Sequence, residues 1–166
     1  MSATGVWNPN HKPRSSSKVS SYIKWILLVG SVAALLLLGT CGRSQYRLYK
    51  LVNNAVSRFH GQLDQAEYEE IYGDATDQFR NSGSRQDAIA FLKTVHEKMG
   101  SSKKFSMRGL NTTKSFNYKT AARETFVTAI YLTNFTEGEA TESFLWRIDP
   151  YQPRLVKYRI DSPNLR

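Results

Sequence analysis

From Trp25 to Gly42 the chain carries no charged residue. Ile26-Leu27-Leu28-Val29 and Leu35-Leu36-Leu37-Leu38 make this stretch apolar on every side, unlike a surface helix, which keeps one polar face. At 1.5 Å per residue, residues 22–42 are just long enough to cross a hydrocarbon core of about 30 Å. Tyr22 and Trp25 suit the interface, and Lys24 can reach back toward the headgroups. The pattern predicts a transmembrane or signal-anchor segment over 22–42. Residues 1–21 are polar, rich in Ser, Pro and Lys, and have no apolar period, which predicts a disordered tail.

After the apolar segment the period becomes helical. Leu48, Leu51, Val52, Ala55, Val56, Phe59 and Leu63 recur at spacings of three and four, one face of a helix. Asp64, with Glu67 three residues on, is placed to cap a second helix. Its stripe is Tyr68, Ile71, Tyr72, Ala75 and Phe79, with a break expected at Gly73-Asp74. Asn81-Ser82-Gly83 forms a turn. Ser84 caps a third helix whose core side is Ala88, Phe91, Leu92, Val95 and Met99, and Gly100 stops it.

Beyond Gly100 the period is two. Runs rich in Thr, Val, Tyr, Phe and Trp predict antiparallel strands at about 103–110, 113–120, 123–135, 140–149 and 154–161. Phe144, Trp146 and Ile148 alternate with Ser143, Leu145 and Arg147, while Val156, Tyr158 and Ile160 alternate with Lys157 and Arg159. The last hairpin therefore has one apolar face and one mixed or basic face. Helices followed by strands predict a single α+β domain over 43–166, with about three helices packed on a curved antiparallel sheet of four to five strands.

Charge sharpens this picture. Of 23 lysines and arginines, eight precede the first acidic residue, Asp64, leaving 15 against 14 acidic residues. The excess flanks the apolar segment while the folded part is near neutral. That is the distribution for anionic lipid headgroups and not for a nucleic-acid-binding domain. Four basic residues lie before the segment and four follow it closely, so the charge rule alone does not orient it. A short polar tail before a first apolar segment favours the tail inside, which puts the C-terminal domain outside the cytoplasm, periplasmic or extracellular.

Cys41 is the single cysteine, which excludes an intramolecular disulfide and a cysteine-based zinc cluster. Leu38-Gly39-Thr40-Cys41 is similar to a bacterial lipobox, with Thr40 where Gly, Ala or Ser is usual. Cys41 is thus a lipidation candidate. An uncleaved anchor leads the expectations; a lipoprotein signal and a cleaved signal peptide stay open.

Three stretches carry a family likeness: Gln62 to Tyr72, Phe91 to Gly100, and Val127 to Phe135 with Glu137 to Phe144 and Lys157 to Ser162. On these, the span 59–166 resembles the small bacterial domains of the cystatin-like, or nuclear-transport-factor-two-like, superfold. The resemblance implies a cone-shaped domain, commonly behind a signal peptide, lipobox or single anchor. It does not imply one activity, because such folds host enzymes, ligand binders and secretion scaffolds alike.

The chemistry-bearing residues are sparse. His60 and His96 are expected to be exposed helical histidines, with no nucleophile elbow beside them. No metal-ligand spacing and no phosphate-cradling glycine loop occurs, so neither metal, cofactor nor catalytic residue is expected. Arg147, Lys157 and Arg159 read as the solvated face of a hairpin and not as a nucleic-acid surface. Tyr131, Trp146 and Tyr158 are candidate linings for an apolar ligand in the cone. An isomerase- or hydratase-type enzyme would also need a carboxylate on that inward face; Glu142, at a strand start, is among the candidates, and the aromatics are read first as core. The leading expectation is a non-catalytic, membrane-anchored interaction or scaffold module of a bacterial cell envelope, with membrane lipid and envelope proteins as partners. An apolar-ligand binder is the alternative.

Overall fold

A computed structural model describes residues 17–118, 121–149 and 152–166, and among these the side chains of 22–31 and of 45 onward. The chain divides into two units, Met1–Ser44 and Gln45–Arg166. Helix α1 is Ser17–Asp64, and its residues from 45 onward belong to the second unit. Among the described residues no helix is long and apolar enough to cross a membrane. The segment expected to span, 22–42, reaches into residues whose side chains lie outside that description. So do Cys41 and most of the expected disordered tail.

The second unit is α+β. After α1 come α2 (Tyr68–Asp74), α3 (Asp77–Arg80) and α4 (Arg85–Met99), then β1 (Ser102–Asn117), β2 (Ala122–Phe135), β3 (Gly138–Ile148) and β4 (Pro153–Asp161). The four strands form an antiparallel sheet in the order β1-β2-β3-β4. Val52, Ala55, Val56, Phe59 and Leu63 of α1 share one core with Leu92, Val95 and Met99 of α4. Val127, Ala129, Tyr131, Phe144, Trp146 and Tyr158 complete it from a single face of the sheet. In the last hairpin Phe144, Trp146 and Tyr158 face inward and Lys157 and Arg159 outward as expected, but a register shift beside Trp146 places Leu155, and not Val156, opposite it and in the core.

Several local expectations are corrected. Asp64 does not cap the second helix: it ends α1, and its carboxylate accepts the Ser102 backbone N–H at 3.1 Å. Glu67 takes the cap position of α2 without a side-chain bond. The break expected at Gly73-Asp74 is present: α2 ends at Asp74 and a separate short helix, α3, begins at Asp77. Thr76 turns extended, accepts the Phe79 N–H to open α3, and donates its own N–H to Leu155 O at 2.9 Å. Binding to the sheet edge thus replaces a helical bond. Phe91, expected in the core, is 43% exposed. The two strands expected at 103–110 and 113–120 are the one strand β1, because Asn111 and Thr112 stay in register with Thr128 and Val127.

Ser84 and Gly100 act as expected. The Ser84 hydroxyl accepts the Asp87 N–H at 3.1 Å, satisfying an otherwise orphan helix donor. Gly100 closes α4 at φ 70, ψ −160, a region nearly confined to glycine. A β-carbon there would lie 2.9 Å from Thr136 Cβ. Gly100→Ala is expected to lower unfolding free energy by about 1–3 kcal/mol, read by urea denaturation. A change within 0.5 kcal/mol, roughly the scatter of neutral surface substitutions, would mean that the backbone relaxes at this joint.

Candidate functional site

The most unusual chemistry in the second unit is a carboxylate inside the core. Strand alternation puts Ala140, Glu142, Phe144 and Trp146 on the inward face of β3, and Glu142 is fully buried. Its carboxylate accepts three hydrogen bonds. His60 of α1 approaches Oε2 with Nε2 at 2.8 Å. Thr133 of β2 donates its hydroxyl to the same oxygen at 2.5 Å, and Tyr158 of β4 donates to Oε1 at 2.7 Å. Four elements thus meet on one side chain, and a carboxylate with three donors is hydrogen-bonded well enough to remain inside a core.

Rings surround the cluster. His60 sits 4.9 Å from Phe105 and 6.0 Å from both Phe59 and Phe135, between ring centroids. Phe144 stacks on Trp146 at 5.6 Å and lies 5.0 Å from Tyr158. His60 Nδ1 has no partner among the described residues. With a proton on Nε2 the ring donates to the Glu142 carboxylate.

Burial, reinforced by the nearby Glu142 charge and the hydrogen bond to it, pushes the Tyr158 hydroxyl well above the ordinary tyrosine value of 10.0. Tyr131 is pushed up too, by burial first, then by Tyr49 and Glu142; its hydroxyl donates to Asn53 at 3.4 Å. The unfolded chain gives up both protons near pH 10, whereas the folded chain keeps them. Stability is therefore whole below about pH 10 and declines as pH rises past it, by up to about 1.4 kcal/mol per pH unit for each group. Urea titrations between about pH 9 and pH 11 should show the decline, and Tyr158→Phe should flatten it by roughly half. An unchanged slope in that variant would remove Tyr158 as a cause.

Tyr131, Trp146 and Tyr158, the candidate ligand linings, all lie in the core, at 0%, 3% and 7% exposure. Trp146 Nε1 is buried without a partner among the described residues. Trp146 also lines a shallow cleft with Phe59, Ile71 and Leu155 whose enclosed space is about 20 Å³, the scale of one water. His60 is not the exposed helical histidine expected from its polar neighbours. It follows Val52 and Val56 at spacings of four, inside the apolar stripe, and it has Glu142 to bond. His96 is half-buried, with Nδ1 donating to Leu63 O. Glu142 supplies the inward carboxylate, and its parity with Phe144 and Trp146 was the signal that could have placed it.

Glutamate beside histidine has the makings of a base and its orienting partner, but acid–base catalysis needs the reacting proton within hydrogen-bond reach. The His60 and Glu142 side chains are 3% and 0% exposed, so the pair is sealed. What this geometry does is clasp α1 to three strands. Among the described residues no group of three or more His, Cys, Asp or Glu could hold a metal ion. No family model, curated protein or solved structure matches this chain.

Proposed function

We propose that this protein is a membrane-tethered, non-catalytic interaction or scaffold module of a bacterial cell envelope, its C-terminal domain outside the cytoplasm. The observation that carries the tether is the bare apolar surface of α1. Trp25, Ile26 and Leu27 are 68%, 70% and 67% exposed and continue into an uncharged sequence that ends at Gly42. Contiguous exposed apolar surface of this kind marks a lipid or protein partner, and the uncompensated basic residues on both sides favour lipid. Among the described residues the partners of the buried Glu142 are His60, Thr133 and Tyr158, all buried themselves, which favours a binding role over chemistry. Helices followed by a four-stranded meander support the cystatin-like, or nuclear-transport-factor-two-like, assignment.

The test is purification of the full chain from its native membrane in mild detergent, followed by intact-mass and co-purification analysis. A full-mass chain with stoichiometric envelope proteins is expected. Recovery in the soluble fraction would overturn the tether, and a chain with no protein partner would overturn the scaffold role. A mass that begins at a diacylated Cys41 would exchange the helical anchor for a lipid one.

A further inference from the structure

The outward face of the sheet carries unmatched polar groups across β2, β3 and the edge strand β4. Thr128, Leu145 and Lys157 stand opposite one another in one cross-strand row, and Ile130, Ser143 and Arg159 in the next. Thr128, Ser143, Leu145, Lys157 and Arg159 line a hollow of about 180 Å³. Among the described residues, neither the Lys157 ammonium nor the Arg159 guanidinium pairs with a carboxylate, and the Thr128 and Ser143 hydroxyls have no side-chain hydrogen bond. The acids at either end of the patch are already engaged. Asp149 holds Arg147 at 2.9 Å, and Asp161 holds Arg166 at 3.4 Å. Both cations line the hollow with no carboxylate in ion-pair contact among the described residues.

We propose that this hollow binds the phosphate group of a phosphoester. Two cations and two hydroxyls supply donors from several directions, which suits the three free oxygens of a phosphate better than the two of a carboxylate. Arg159 can engage two of those oxygens with its planar fork, and Lys157 acts as a point charge. The volume lies below the roughly 300 Å³ of drug-sized pockets, so it takes a headgroup and not a whole ligand. Leu145 in the hollow and Ile130 at its rim, 40% exposed, give an apolar body a surface to lie on. The phosphate comes either from a soluble phosphoester or from an anionic lipid headgroup. The site stands on the sheet alone and does not depend on the tether.

The full chain in phosphate-free maltoside micelles is the material for the test. Glycerol 3-phosphate is titrated in one arm, and phosphatidylglycerol is doped into the micelles in the other, with bound species counted by native mass spectrometry. Saturable one-to-one binding is expected in at least one arm. Binding in the first identifies a soluble phosphoester, and binding in the second alone identifies a headgroup. The Lys157→Gln/Arg159→Gln variant should weaken binding at least tenfold. Thr128→Val/Ser143→Ala, which keeps every charge, should weaken it at least threefold. No saturable binding in either arm, or wild-type binding by the hydroxyl variant, would overturn the site and leave only a diffuse basic surface.

Discussion

Glu142→Leu is expected to lower the unfolding free energy by about 3–5 kcal/mol, because three buried donors lose their acceptor at about 1–3 kcal/mol each, partly offset by the easier burial of leucine. The loss does not lie in the carboxylate itself, whose desolvation opposes folding. It lies in the His60, Thr133 and Tyr158 donors, bonded to it at 2.5–2.8 Å, which leucine would leave buried and unmatched. Glu142→Gln separates the two contributions. Its amide oxygen can take the place of Oε2 for His60 and Thr133, while its NH₂ faces a Tyr158 oxygen able to accept. A cost of only about 1–2 kcal/mol is then expected. Adding His60→Leu, Thr133→Val and Tyr158→Phe to Glu142→Leu should recover much of the loss, because a matched apolar set leaves no donor stranded. Urea denaturation of the four proteins, parent included, checks the series. If Glu142→Leu alone proves neutral, water reaches the three donors and the cluster is not the clasp described.

Phe144→Ala should cost about as much, roughly 3–5 kcal/mol, for a different reason. Phe144 is fully buried and touches rings from three sides: Phe59 at 5.2 Å, Tyr131 at 5.9 Å and Trp146 at 5.6 Å between centroids. Tyr131 and Trp146 are fixed on strands and Phe59 on a long helix, so the gap has little means of closing. An unrelaxed apolar cavity stays dry and admits a small aromatic guest. Benzene should therefore raise the melting temperature of Phe144→Ala and leave that of the parent unchanged. A variant that loses less than 2 kcal/mol and ignores benzene would mean that the core collapses around the missing ring, since loss in such series falls with the cavity that remains.

The two substitutions also mark what a reader of the sequence can and cannot see. Phe144 was legible: it alternates with Ser143 and Leu145, and an aromatic at an inward position has one ordinary destination. The same alternation pointed Glu142 inward, but a charged residue in a core goes against the usual cost of burial, and no local pattern announces a partner 82 residues away. His60 was hidden for the same reason, its polarity outweighing its place in the stripe. The third helix was readable from both ends, since a serine cap and a glycine stop are set by backbone chemistry within one turn. Strand β1 was not. On an edge strand, polar residues such as Asn111 and Thr112 face solvent, and their composition is that of a turn. The hollow on the outer face needed registry: sequence shows Lys157 and Arg159, but only pairing places Ser143 and Thr128 beside them.

The two margins of the sheet differ. Along β4, Thr76 donates both its N–H and its hydroxyl to Leu155 O, and Arg154 binds back to Asp74 O and Ala75 O. At the opposite margin, β1 ends the strand order over 16 residues. Growth of a fibre by strand addition needs a template at both ends of each unit. The chain's own helical segment therefore occupies part of the β4 margin at Leu155, which leaves β1 as the longer edge open to strand addition.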